Sequence, residues 1–238
     1  MTPSSPPSEP PRRNTRVYGR RLGRPLRAGR QELLSDLLPR LRLAVAEGAV
    51  IDPAAVFPDK REVWIELGFG GGEHLAAQAE AHPDVGIIGT ELFLNGIGSL
   101  LRHVRDRQLD NVRIADTDSF KLVSALAPAS VARVFLLFPD PWPKVRHHRR
   151  RFVRTETLDL LARLLKDGGE FRFATDHTEY CTWALARIVR HPDFVWNAEG
   201  PADWRERPAD WPETRYEQRA RAAGRKPVFL SFSRRPRG

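Results

Sequence analysis

With one cysteine, Cys181, this 238-residue chain can form no intramolecular disulfide and no cysteine-rich metal site. Cys181 sits in a helix-like stretch and is read as a small core residue. No apolar run approaches the length of a membrane span, and the start Met1-Thr2-Pro3-Ser4-Ser5-Pro6 lacks the apolar centre of a signal peptide. A membrane partner is therefore not expected. Of the seven histidines, His147 and His148 lie among arginines, which would repel a metal cation, so no metal site is expected either. Acid is also missing where base is dense. Residues 12–30 hold eight arginines and no acid, and residues 144–154 hold Lys144, Arg146, Arg149, Arg150, Arg151 and Arg154, again with no acid. The whole chain is +9, so the remainder is net negative. Positive charge gathered into two strips on an acidic body suits a binder of phosphate backbones, where each neutralised phosphate releases counterions.

What is present falls into three parts. Residues 1–11, with five prolines and three serines, are expected to be disordered. Residues 12–30 read as an arginine-rich arm broken by Gly19, Gly23, Pro25 and Gly29. From residue 31 to 238 the chain reads as one folded domain. A helix is predicted from about Gln31, interrupted at Pro39. Strands are then predicted at 63–67, 85–91, 112–115, 132–138 and 170–174, alternating with helices at 73–81, 94–107, 120–126, 157–166 and 180–190. Gly168-Gly169 is expected to stop the helix that precedes the fifth strand. Alternation of this kind means a doubly wound α/β sheet. A last strand, 228–233, has no helix after it.

Ligands of such sheets bind beyond the carboxyl ends of the strands. Here each of the five ends in acid: Glu66, Glu91, Asp116 with Asp118, Asp140 and Asp176. Helix capping accounts for one or two of these. The first strand leads into Gly68-Phe69-Gly70-Gly71-Gly72, but Glu73 stands where a dinucleotide fingerprint requires its third glycine, and it would repel a pyrophosphate. A nicotinamide cofactor is thereby disfavoured. S-adenosylmethionine has an ammonium, a sulfonium and two ribose hydroxyls but no phosphate, and fits better. Gly68 and Gly70 allow close backbone approach. Glu91, 23 residues after Gly68, is placed to accept from the ribose hydroxyls, and Asp118 can accept from an adenine amino group. After the fourth strand, Phe138-Pro139-Asp140-Pro141-Trp142-Pro143-Lys144 holds a carboxylate between two prolines that restrict its direction, at the head of the second basic strip.

These motifs, with Arg146 to Arg151, Ala174-Thr175-Asp176, Thr214-Arg215-Tyr216-Glu217 and the arm Arg16 to Arg24, resemble the bacterial tRNA (guanine-N7)-methyltransferase family over nearly all of 12–238. The resemblance implies a Rossmann-like sheet of seven strands, mostly parallel with an antiparallel C-terminal strand. It implies transfer of a methyl group from S-adenosylmethionine to N7 of a guanine in the tRNA variable loop, in the cytoplasm. Glu66, Glu91, Asp118 and Asp140 would bind or line the cofactor. Lys144, Asp176, Thr214, Arg215, Tyr216 and Glu217 would contact the substrate, together with Arg146, Arg149 and Arg150 of the basic strip. Trp142 and Tyr216 could stack on an unstacked base. Pro143, Arg215 and Tyr216 depart from commoner residues of that family, and Pro143 removes any role for a histidine there. The competing readings are an RNA-binding protein without the reaction and a methyltransferase for an exocyclic amine. The latter favours an Asn-Pro-Pro-Tyr type of turn where this chain has Pro139-Asp140-Pro141-Trp142. Nothing in the pattern separates a monomer from a homodimer.

Overall fold

The computed structural model describes residue 23 and residues 25–238. The expectations for residues 1–11, and for most of the arm, lie outside the described residues. Helices α1 (Ala28–Asp36) and α2 (Leu38–Leu41) open the described chain, followed by α3 (Pro53–Val56). Pro39 falls in the first turn of α2, so the expected interruption is a new helix start, where the missing N–H costs nothing. The alternating part then runs β1 (Glu62–Leu67), α4 (Glu73–Ala81), β2 (Val85–Thr90), α5 (Leu94–Asp106), β3 (Val112–Ala115), α6 (Ser119–Ala125) and β4 (Val131–Leu137). It continues through a 3-10 turn (Val145–Arg150), α7 (Thr155–Leu164), β5 (Leu165–Thr175) and α8 (Thr178–Ile188). The C-terminal part is β6 (Phe194–Trp196), α9 (Ala202–Arg205), α10 (Arg215–Ala222) and β7 (Val228–Arg234).

The seven strands form one sheet in the order β3-β2-β1-β4-β5-β7-β6. Pairs from β3 through β5 are parallel, and β7 is antiparallel to both β5 and β6. β1 and β2 read as continuous apolar runs because helices cover both faces of the sheet. Leu158, Leu161 and Leu164 of α7, with Tyr180 and Ile188 of α8, fill one side. Ile97, Leu100, Leu101 and Val104 of α5, with Leu75 and Ala76 of α4, fill the other, at the predicted helical spacing. Strand order reverses between β1 and β4, so the loops leaving those two strands open side by side.

One boundary differs from the sequence reading. α7 stops at Leu164, and Gly168-Gly169 lies inside β5 at a register shift against β4. Leu165, fully buried, turns extended and pairs with Val131, so the glycines shape a bulge instead of a helix cap. The carbonyls at that helix end are satisfied from the C-terminus. Arg237 donates to the oxygens of Ala162 (3.0 Å), Arg163 (3.1 Å) and Leu165 (2.7 Å). Asp167 accepts from the Arg237 backbone N–H at 3.1 Å, and that bond with the Arg237 and Arg234 charges holds its carboxyl below the ordinary 3.8. A depressed folded-state pKa stabilises the fold above 3.8, and the contribution disappears as pH falls through the folded value. The urea midpoint of Asp167→Asn is therefore expected to lie below wild type at pH 6, with the gap narrowing as pH falls below 3.8.

Candidate active site

The glycine turn after β1 is held open by its backbone. Gly68, Gly70 and Gly72 have φ of +69°, +56° and +77°, a region that side chains disfavour. Gly68 N donates to Thr90 O at 2.9 Å and to Thr90 Oγ1 at 3.2 Å. Gly70 N donates to Glu91 Oε2 at 2.9 Å, while Glu91 Oε1 accepts from Leu92 N (2.7 Å) and Phe93 N (3.0 Å). Glu91 thus staples the turn to the end of β2, and its Oε2 retains acceptor capacity. α5 closes against the same turn at Gly96, where a Cβ would lie 2.2 Å from the Gly70 carbonyl oxygen. Glu66 is buried. His74 Nδ1 lies 2.7 Å from its Oε2, and Gln78 continues from His74 to the carbonyl of Asp210 at 2.6 Å.

The remaining strand-end acids are not equivalent. Asp116 pairs with Arg42 at 2.9 Å. Asp118 caps α6, accepting from Phe120 N at 2.9 Å. Asp176 pairs with Arg225 at 2.6 Å. Asp140 is exposed, and among the described residues none donates to it. Its backbone is the most constrained of the set. Phe138 (φ +49°) and Trp142 (φ +44°) flank the Pro139-Asp140-Pro141 segment in the left-handed region, which costs about 1–3 kcal/mol each and clusters at functional sites.

Thr214 caps α10, accepting from Glu217 N at 3.2 Å. That places Arg215 and Tyr216 across the two loops. Arg215 pairs with Glu73 at the start of α4, so the acid that disfavours a pyrophosphate is itself matched by a cation. The Tyr216 ring stacks parallel to Phe138 (centroids 6.5 Å apart, planes at 13°), and a Cβ on Gly70 would lie 3.1 Å from its Cε2. Burial first, then the carboxylates of Glu91 and Asp140, push the Tyr216 hydroxyl above its ordinary pKa. One side chain therefore feels both the glycine turn and the Asp140 loop. Glu217 faces inward, 1% exposed, and pairs with Arg221 (2.9 Å) and Arg207 (3.3 Å).

Lys144, Arg146 and Arg149 are exposed on the basic turn, and Arg150 lies over the Trp142 ring at 4.8 Å. Arg151 corrects the sequence reading: it belongs to the same run of cations, but it is 1% exposed and bonded to the protein interior. The sequence reading also overlooked Arg219, Arg225 and Lys226, which are exposed on and just after α10, with Arg225 and Lys226 lining a cleft with Asp176. The Thr214-x-x-Glu217 capping pattern was the available signal for that helix. Among the described residues no group of His, Cys, Asp and Glu is arranged to hold a metal ion, and no helix is long and apolar enough to cross a membrane.

A sheet in this order, with a glycine turn after β1 and an acid closing β2, defines a Rossmann-like methyltransferase of class I. Solved structures agree on the fold. An antibiotic-resistance methyltransferase, Kmr, matches with a TM-score of 0.54 at 19% identity, covering 79% of this chain and 93% of that one. The 16S rRNA methyltransferase KamB matches at 0.53 and 14%, covering 82% and 96%. A family model described as "Putative methyltransferase" matches residues 60–230. A Rhodospirillum rubrum protein named tRNA (guanine-N(7)-)-methyltransferase is 52% identical over 96% of this chain and 91% of its own length. A Zymomonas mobilis protein of the same name is 43% identical over 92% and 94%. The chain belongs to the tRNA (guanine-N(7)-)-methyltransferase family.

Proposed function

We propose that this chain transfers a methyl group from S-adenosylmethionine to N7 of a guanine in the variable loop of tRNA. The observation that carries this reading is Asp140. It is a carboxylate without a cationic partner among the described residues, fixed between prolines at the switch point, close enough to act on the Tyr216 hydroxyl, and followed in the chain by the exposed Lys144, Arg146 and Arg149. Guanine N7 carries a lone pair, so no general base is needed before attack. Positioning is needed, with a field that tolerates positive charge moving onto the base. S-adenosylmethionine supplies an electrophilic methyl group when bound.

The residues fit that cofactor. Glu91 Oε2 keeps acceptor capacity for ribose hydroxyls, the positive-φ glycines leave backbone room, and the Glu66 carboxyl lies buried at the end of β1 against His74. Asp118 stands three residues beyond β3, at the start of α6, with one oxygen committed to its helix cap. The two further carboxylates divide by their partners. Asp176, already matched by Arg225, accepts from N1–H and the 2-amino group of guanine. Asp140, unmatched, stabilises the N7 cation. Tyr216 and Phe138 supply the aromatic wall for the base. Thr214 and Glu217 act by building and anchoring α10. A tRNA with 7-deazaguanosine at the target position keeps every other edge of the base and lacks the nucleophile. It is expected to bind with unchanged affinity and accept no methyl group; methylation of that tRNA would place the reaction elsewhere.

The exposed cations should act on the tRNA backbone alone. Arg146→Ala with Arg149→Ala is expected to weaken tRNA binding and leave cofactor affinity unchanged. The log–log salt dependence should flatten by about 1.5–2 units if both side chains meet phosphates. A filter-binding series across salt concentrations checks this, and an unchanged slope would make the turn an ordinary solvated face.

A further inference from the structure

Arg151 closes the basic turn, yet its side chain is fully buried. Its Nε donates to the carbonyl of Pro141 at 2.8 Å, and Nη2 reaches the carbonyl of Trp142 at 3.4 Å. Nη1 and Nη2 form a bidentate pair with Glu179 at 2.9 and 2.5 Å. The guanidinium lies over Trp183 (4.8 Å) and Tyr180 (5.1 Å). Its two carbonyl acceptors are those of the two residues following Asp140. Its carboxylate acceptor is in the first turn of α8, three residues beyond Asp176. One rigid, planar group therefore ties the backbone behind the first carboxylate to the helix behind the second.

We infer that Arg151 is a positioning residue that fixes Asp140 relative to Asp176, through the Pro141 and Trp142 carbonyls on one side and Glu179 on the other. The left-handed Trp142 backbone is strained, so something must hold it, and the guanidinium donates to both carbonyls of that bend. A lysine could not substitute. Its ammonium is a point charge without the planar fork that serves two carbonyls and a bidentate carboxylate together. Burial also denies Arg151 a phosphate contact, although its neighbours in sequence, Arg149 and Arg150, are at least partly accessible.

The kinetic arm of the test rests on the methyl-transfer reading; the proteolytic arm does not. Arg151→Lys and Glu179→Gln are made in the full chain. Glu179 is half exposed, so Glu179→Gln removes a charge without emptying the core. Both variants are expected to lower turnover at saturating tRNA and cofactor by about tenfold or more, with KM for tRNA and cofactor affinity within about threefold, as misplacement of reacting groups requires. Trypsin cleavage after Lys144 and Arg146, read by fragment mass at a temperature where both variants remain folded, is expected to speed up by a similar factor. A lower melting temperature with unchanged turnover and unchanged cleavage would overturn the inference and leave Arg151 a core strut. Weaker tRNA binding with a salt slope reduced by about one would also overturn it, in favour of a phosphate contact. If wild type transfers no methyl group, the function proposed above fails, and the cleavage rates still decide whether the loop is latched.

Discussion

Asp140→Asn is expected to fold and melt like wild type and to lose methyl transfer by roughly 30- to 900-fold, the equivalent of about 2–4 kcal/mol in the transition state. The substitution keeps volume, removes the charge and exchanges one acceptor oxygen for an N–H donor. Asp140 is exposed and bonded to no described residue, so the fold has little to lose. The reaction has much to lose, because methylation places a full positive charge on a base that began neutral, and the other acids nearby are already engaged. Glu91 accepts three backbone N–H groups and Asp176 faces Arg225. Cofactor and tRNA affinities should change by less than about threefold, since the charge develops only as the methyl group moves. Single-turnover rates measured beside thermal melts separate the two effects. Activity within about threefold of wild type would assign charge stabilisation to another residue.

Glu91→Ala should act on the cofactor and spare the tRNA. Its carboxylate fixes the glycine turn through Gly70 N, and in the proposed function it would also offer the ribose hydroxyls an acceptor. A charged hydrogen bond contributes about 1.5–3 kcal/mol, so cofactor affinity is expected to fall by roughly 10- to 150-fold, more if the unstapled turn also relaxes. Glu91→Gln removes the charge and half of the staple, because its one amide oxygen can serve Gly70 N or the Leu92 and Phe93 N–H pair but not both. It should land between wild type and alanine. Calorimetry with S-adenosylmethionine reads both variants. Unchanged affinity in Glu91→Ala would mean that the cofactor does not reach the end of β2.

The alternating architecture was legible because strands buried on both faces leave apolar runs that a solvent-facing sheet would not. The glycine turn and the Phe138–Lys144 turn were legible because glycine and proline mark backbone that cannot stay regular. Other features had no such mark. β6 is three residues long, too short for a pattern. α10 buries only Glu217 and Ala220, so it carries no apolar stripe. Arg149, Arg150 and Arg151 are the same letter three times, and only the path of the 3-10 turn sends the third inward. The six acids looked equivalent in a list of strand ends. Asp118 has a local partner, the α6 backbone, but Arg42, Arg225 and the Gly70 amide come from distant segments and distinguish the other acids only after folding. Glu217, expected at the substrate, is also buried and paired with Arg221 and Arg207, which its letter in the sequence did not reveal.

Mass analysis of nucleosides, after incubation of the full chain with unmodified tRNA and S-adenosylmethionine, tests the central claim most directly. The expected result is 7-methylguanosine, about one per tRNA, mapping to the variable loop on nuclease digestion and formed at least about 30-fold more slowly when Asp140→Asn replaces wild type. Methylation of an exocyclic amine, or tight tRNA binding with no methyl transfer at all, would contradict it.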